Sequence, residues 1–252
     1  MIGPDSATHL TQGNITLLSA SPFSAETDFS EINHYFAERP LNDLLAWSLV
    51  TFGSKVALVT SFGPTGMVVL DHLAKLNPGV KVITVDTDFL FEETYALRER
   101  VQRRYPFQLE IRKSTLTPAV QAQLYQPQLW QVNPDLCCHL RKVMPLAEVL
   151  QGYEAWLTGL RRDQASTRTD LPLLAWDAKH NLVKINPLAN WTRGQVWSYL
   201  LENDVPYNHL HDLGYGSIGC THCTRPTSDP ADERAGRWQG RGKVECGIHY
   251  SV

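Results

Sequence analysis

The apolar positions of this chain switch period repeatedly, and the switching predicts its architecture. Residues 29–53, "FSEINHYFAERPLNDLLAWSLVTFG", keep helical spacing, interrupted at Pro40 and ended at Gly53. "KVALVTS" is then a short continuous apolar run, the signature of a buried strand. After the loop "FGPTG", "MVVLDHLAKL" predicts a helix with Val69, Leu73 and Leu76 on one face. "GVKVITVD" is a second buried strand, "FEETYALRERVQRRY" an amphipathic helix and "FQLEIR" a third strand. Two helical stretches surround Cys137 and Cys138. "EAWLTGL" and "LVKINPL" are a fourth and fifth strand, and "TRGQVWSYLLEN" is a helix that Thr192 is placed to cap.

Apolar strands alternating with helices define an α/β fold, a mostly parallel twisted sheet with helices on both faces. The predicted organisation is a loose N-terminal arm over 1–28, an α/β nucleotide-binding domain over 29–205 and an irregular C-terminal tail over 206–252. That tail, rich in Gly, Pro, Arg and Cys, needs a scaffold other than a hydrophobic core. Ligands of such sheets bind at the carboxyl ends of the strands. "SFGPTG", "VDTDF" and "TGLRRDQ" are predicted to lie there.

Composition narrows the function. The chain has 252 residues, 43% hydrophobic and 19% charged, with a formal net charge of −3, which argues against a bulk nucleic-acid surface. The N-terminus has no basic stretch followed by a long apolar run, and no segment is apolar enough to span a membrane. The expected compartment is therefore the cytoplasm.

Candidate chemistry gathers at the predicted strand ends. In "TSFGPTG", a strand–loop–helix unit aims backbone N–H groups and a helix N-terminus at one spot, suited to phosphate or sulfate, with Ser61 and Thr65 adding hydroxyls. Asp86, Thr87 and Asp88 end the second strand, where a ribose or base is met in mononucleotide folds; Thr87 or Asp88 would also serve as a helix cap.

Five cysteines divide as four plus one. Cys137 and Cys138 are adjacent, and Cys220 and Cys223 form C-x-x-C far downstream. Adjacent thiolates splay awkwardly around one zinc ion, whereas a cubane offers separate irons, so a 4Fe–4S cluster is preferred over zinc. Such a cluster would also anchor the tail.

Arg141 and Lys142 follow Cys138, Arg161, Arg162 and Arg168 follow the fourth strand, and Arg234 and Arg237 lie in "SDPADERAGRW", read as a short helix with Asp229 as cap and Pro230 at its first position. Together they predict a pocket for a polyanion. Cys246, near Lys243 and His249, is the fifth thiol, reactive only as a thiolate.

The combination Cys-Cys, Cys-x-x-Cys and Glu-Cys-Gly-Ile-His, with "TGLRRDQ", "KINPLANWTRGQVWSYL" and "DERAGRW", resembles the assimilatory adenylyl-sulfate reductases, the iron–sulfur branch of the phosphoadenylyl-sulfate reductase family, from about Ala57 to His249. The resemblance implies an adenine nucleotide alpha hydrolase-like fold and thiol-dependent reduction of adenylyl sulfate to sulfite and AMP through an S-sulfocysteine on Cys246. It further implies that Cys137, Cys138, Cys220 and Cys223 hold one 4Fe–4S cluster per chain and that Lys142 pairs with cluster and substrate. Ser61, Phe62 and Gly63 would lie along the phosphosulfate or nucleotide, the backbone at Val85, Asp86 and Thr87 would meet the adenine, and Arg234, Arg237 and His249 would bind anionic groups. Thioredoxin or a glutaredoxin-like protein would be the reductant, and a homo-oligomer is expected. Two loops depart from the family pattern: Phe62 and Asp88 stand where glycine is usual. Alternatives are the same chemistry on 3′-phosphoadenylyl sulfate, an ATP-pyrophosphatase or tRNA thiolase of the same fold, whose Ser-Gly-Gly-x-Asp-Ser loop "SFGPTG" is not, and a zinc-ribbon binding module.

Overall fold

The computed structural model describes residues 23–227 and 232–249. Helices α1 (Ser30–Ala37) and α2 (Leu41–Phe52) flank Pro40, which precedes the first turn of α2, where a missing N–H leaves no helical bond unmade. Phe23, within the stretch read as a loose arm, packs its ring on Phe29 and Phe52 at 5.5 and 5.7 Å. The remaining regular elements are β1 (Val56–Val59), α3 (Pro64–Leu76), β2 (Lys81–Asp86), α4 (Glu92–Arg104), β3 (Gln108–Lys113), α5 (Pro118–Leu124), α6 (Leu129–Val132), α7 (Pro134–Cys138), α8 (Met144–Leu150), β4 (Ala155–Leu157), β5 (Leu174–Asp177), β6 (Leu182–Ile185) and α9 (Arg193–Glu202). None of these helices is long and apolar enough to cross a membrane.

The described residues form a six-stranded sheet in the order β3-β2-β1-β4-β6-β5. Every pairing is parallel except β5 with β6. The sequence pattern yields five strands and passes over β5. That strand has only four residues and joins its partner through a turn at Asn181, where φ is +55°. Alternate residues of β4 enter different cores. Ala155 and Leu157 pack with α2, α3, α4 and α9, while Trp156 packs with Leu146, Val149 and Leu150 of α8 and with Ile248 of the C-terminal segment. Of the apolar stripe expected on α3, Val69 and Leu73 are buried and Leu76 is exposed at the helix end.

Thr192 caps α9 as the sequence predicts: its hydroxyl accepts from Gln195 N, and the Gln195 side chain returns to Thr192 N. Buried Asp71 on α3 accepts the hydroxyls of Tyr105 (2.9 Å) and Tyr199 (2.6 Å) and the Lys75 ammonium (2.6 Å), fastening α3 to α9 and to the end of α4. Between α7 and α8 the helix widens into a π-turn over His139–Val143, where Met144 N bonds back to His139 O. Pro145 supplies the cause, because in a regular helix its ring would strike the carbonyl of Arg141.

Candidate active site

The strand order reverses between β1 and β4, and a cleft opens there, at the carboxyl ends of the strands. Its floor is the loop from Thr60 to Gly66. Pro64 starts α3, and Gly63 at the N-cap makes no side-chain capping bond, so the first N–H groups of a 13-residue helix face the cleft uncapped. The loop after β4 lies close against this turn: a Cβ added at Gly159 would stand 2.8 Å from Gly66 N. Only glycine permits that approach.

Both loop departures from the family pattern share one backbone reason. Phe62 and Asp88 each have φ of +58°, the left-handed region where glycine carries no steric cost. Phe62 is held there by Thr60, whose hydroxyl accepts its N–H at 2.9 Å, and by burial of its ring, 2% exposed, in the main core. Asp88 is held by Lys113 (2.6 Å) and Arg141 (3.1 Å) on its carboxylate.

Ser61, Gly63, Thr65, Val85, Thr87, Lys142, Arg161, Arg168, Arg234, Arg237, Cys246 and His249 all line the cleft. Phe62 and Asp86 do not, and of the predicted polyanion pocket Arg141 lines the cysteine cavity instead. Phe62 points into the core for the reason above. Asp86 turns its carboxylate to Tyr95, to the Asp88 N–H and to Lys113, and these contacts hold it below the usual carboxylate range despite burial. Arg162 also lies outside, exposed, with Nε on Leu171 O. Gln164, Glu233, Trp238, Glu245 and Ile248 also line the cleft; all five stand inside the quoted signature stretches, but sequence reasoning gave none of them a role.

The arginine segment is not a helix where it is described: residues 233–236 form a turn, and Asp229 and Pro230 fall outside the described residues. Its backbone groups are used elsewhere. Arg225 N donates to Gly236 O at 2.9 Å and Trp238 N to Cys223 O at 3.1 Å, on either side of an isolated antiparallel bridge between Thr224 and Arg237 that competes with helical bonding. The C-x-x-C segment is in turn docked on the loop after β2, with Thr221 N on Phe89 O at 2.8 Å.

Cys137, Cys138, Cys220 and Cys223 are buried and line one small cavity with Phe89, Trp130, Arg141, Lys142 and His222. Thr87 Oγ1 lies 3.3 Å from Cys220 Sγ. Burial first, then neighbouring sulfurs, pushes the Cys137 thiol up to about 11. Burial likewise pushes Cys138 up to about 12, although Lys142 acts against it. No three of the described His, Cys, Asp and Glu side chains meet around one point as a single metal ion requires.

Cys246 is not splayed into solvent. It is half-buried and packs beside Cys138, Cys220, Cys223 and Trp238. Burial raises its thiol, but the Lys142 charge, the Ile248 N–H and the Arg237 charge together hold it below the ordinary value. Lys142 links the two thiol groups: burial opposes its charge, yet Cys220, Cys246 and Cys138 raise its pKa. His249 stacks on Trp156, with ring centroids 5.6 Å apart. Burial, then Lys184 and Arg168, keeps its imidazole well below the usual histidine range and therefore neutral, and its Nδ1 has no partner among the described residues.

A mostly parallel six-stranded sheet with helices and a cleft at its topological switch point marks the adenine nucleotide alpha hydrolase-like α/β class. An FMN adenylyltransferase of Candida glabrata shares the fold alone, at 16% identity and a TM-score of 0.54 over 80% of this chain and 67% of that one. The chain belongs to the phosphoadenosine phosphosulfate reductase domain family, whose pattern matches residues 55–226. It is similar to an adenosine 5′-phosphosulfate reductase of Halalkalibacterium halodurans, 45% identical over 90% of this chain and 98% of the relative. Among solved structures it is similar to a phosphoadenylyl-sulfate reductase of Candida auris in a phosphate complex, at 35% identity and a TM-score of 0.71, over 82% of this chain and 100% of that one.

Proposed function

We propose that this protein reduces adenylyl sulfate to sulfite and AMP with electrons from a protein dithiol. One observation carries the reading: a thiol with a lowered pKa, an uncapped helix N-terminus and the side chains of Lys142, Arg161, Arg234 and Arg237 converge on one cleft. A thiolate approaching adjacent phosphate and sulfate groups meets like charge, so cationic donors must neutralise those oxygens and the charge growing on the leaving phosphate.

The first step forms a bond from Cys246 Sγ to the sulfate sulfur and breaks the bond from that sulfur to the bridging oxygen. AMP leaves with the bridging oxygen and its electron pair, and Cys246 becomes an S-sulfocysteine. In the second step a thiolate of a thioredoxin- or glutaredoxin-like partner attacks Cys246 Sγ and expels sulfite. The partner's second thiol then resolves the mixed disulfide and restores the Cys246 thiolate, so the two electrons gained by sulfur come from the dithiol. The cleft must open between the steps to admit a protein thiol.

Val85 and Thr87 are assigned to the adenine side, Ser61, Gly63 and Thr65 with the α3 N-terminus to the anhydride, and Arg234, Arg237 and His249 to the anionic groups. Arg161 lines the cleft but shares its charge with Asp163 (2.8 Å) and Glu233 (3.4 Å). The four buried thiols fit a 4Fe–4S cluster: the donor set is all sulfur, drawn from two segments, and surrounds a cavity instead of a point. When bound, the cluster supplies fixed charge beside Lys142 and a cross-link between α7 and the C-terminal segment. The relatives' names do not favour the thiolase alternative.

The test is direct. The protein is incubated with ³⁵S-labelled adenylyl sulfate without reductant and denatured. Label stays with the chain and is lost in Cys246→Ser; equal trapping by the variant overturns the assignment. Competition by 3′-phosphoadenylyl sulfate in the same assay decides the 3′ preference.

A further inference from the structure

Glu245 lies immediately before Cys246 and is only 6% exposed. Its Oε1 accepts from Arg168 Nε at 2.8 Å and Nη2 at 2.5 Å, and its Oε2 accepts from Arg234 Nη2 at 3.0 Å. Arg234 Nη2 also donates to Val244 O at 2.8 Å. On the other side, Arg168 Nη1 donates to Gln164 Oε1 at 2.5 Å, and that same oxygen accepts Arg161 N at 3.1 Å. A continuous chain of hydrogen bonds, charge-assisted at Arg168 and Arg234, thus runs from the loop after β4 to the residue before the thiol. Beyond the thiol, Lys179 Nζ reaches Gly247 O at 2.6 Å and Lys184 Nζ reaches His249 O at 3.3 Å. Cys246 is therefore the middle of a segment whose backbone is pinned on both sides.

We propose that Glu245 is a positioning residue: its carboxylate joins Arg168 to Arg234 and so locks the segment carrying Cys246 over the cleft in register with the reacting sulfur. This rests on the reading of Cys246 as the nucleophile. The chemistry favours a clamp over a simple counter-ion. A buried carboxylate satisfied on both oxygens by two guanidinium groups holds a defined geometry. Arg168 commits Nε and one proton on each terminal nitrogen to Glu245 and Gln164, leaving little of its fork for a substrate. Arg168 then serves the reaction through Glu245, which refines its expected role as an anion contact. Two arginines against one carboxylate still leave one positive charge facing the cleft.

The clamp differs in its consequences from a carboxylate that merely fills an anion site until substrate displaces it. Removing a plug raises affinity for adenylyl sulfate and leaves or speeds label transfer. Removing a clamp slows transfer while affinity is kept or raised. The experiment uses the full-length, cluster-loaded protein prepared anaerobically. Single-turnover transfer of ³⁵S to Cys246 is measured with adenylyl sulfate affinity for wild type, Glu245→Gln, Arg168→Lys and the double variant. Hydrogen exchange of the 241–249 backbone is followed without substrate. Expected for Glu245→Gln is a transfer rate lower by about 10²-fold, the size of a misplaced reacting group, with affinity not reduced and faster exchange over 241–249. Arg168→Lys should show the same, and the double variant should lose little more than either single change.

Transfer at the wild-type rate in Glu245→Gln, unchanged exchange of 241–249, or fully additive losses each overturn the clamp. Glu245→Asp keeps the charge but is one methylene too short to reach both arginines; it carries the same test should Glu245→Gln fail to fold, with a wild-type rate again overturning the proposal. Failure of wild type to trap label would instead sink the nucleophile assignment, and the exchange measurement, which needs no substrate, would still decide the clamp.

Discussion

The contact of Gly159 with the first turn of α3 can be tested at atomic scale. In Gly159→Ala the new Cβ would lie 2.7 Å from Thr65 Oγ1, 2.8 Å from Gly66 N and 3.1 Å from Thr65 C. The hydroxyl can rotate away, but the other two atoms are backbone. Reaching the 3.4 Å of ordinary contact with Gly66 N demands about 0.6 Å of separation between the end of β4 and the helix start. Overpacking of this kind costs about 1–3 kcal/mol, and for a chain of this size each kcal/mol lowers Tm by about 2–4 °C. The same displacement moves the uncapped N–H groups relative to Arg161, so label transfer to Cys246 should fall by about tenfold or more. Scanning calorimetry, titration with AMP and the single-turnover assay read the three effects. Gly63→Ala is the control: its φ is −69° and an added Cβ meets nothing within 4 Å. It should leave Tm unchanged or slightly raised, while weakening binding where substrate oxygens approach the loop. Wild-type Tm and affinity in Gly159→Ala would refute the argument that this close approach sets the site. An equal Tm loss in Gly63→Ala would show that glycine content of the loops, not this contact, is responsible.

Lys142→Met removes the largest favourable charge acting on Cys246, so the midpoint of Cys246 alkylation against pH should rise and transfer at neutral pH should slow; an unmoved midpoint would assign the lowered pKa to Arg237 and the Ile248 N–H instead. Asp71→Asn removes the charge that faces Lys75 and turns one of the two acceptor oxygens into a donor, so the hydroxyls of Tyr105 and Tyr199 and the Lys75 ammonium can no longer all be satisfied; it should cost about 2–4 kcal/mol in urea unfolding, with a value near zero refuting the role of that network. Burial alone would raise the Asp71 carboxyl, but Lys75, Tyr199 and Tyr105 hold it below its ordinary 3.8. Its contribution is therefore present above that value and lost as pH falls through the lower folded value, a step that Asp71→Asn should remove from the acid-unfolding profile. Anaerobically prepared protein should carry about four irons and four labile sulfides per chain, lost together in Cys138→Ser; one zinc per chain would refute the cluster.

The sequence alone determined what short-range physics controls. Continuous apolar runs, the 3.6-residue period, Pro40 and Gly53 as boundaries, and the Thr192 cap depend on residues a few positions apart, so the parallel α/β alternation and α9 were legible. The Cys-Cys, C-x-x-C and Glu-Cys-Gly-Ile-His stretches were legible as well, because residue types at fixed spacing carry their chemistry with them. Tertiary structure decided whatever depends on a partner distant in sequence. Phe62 turns from the cleft because the left-handed turn and the core claim its ring. Residues 233–236 stay a turn because the chain just past them pairs with the end of the C-x-x-C segment, through Gly236 O and Trp238 N. Most of all, Glu245 gains its meaning from Arg168, 77 positions away, since a carboxylate is an ordinary surface charge until folding encloses it between two guanidinium groups.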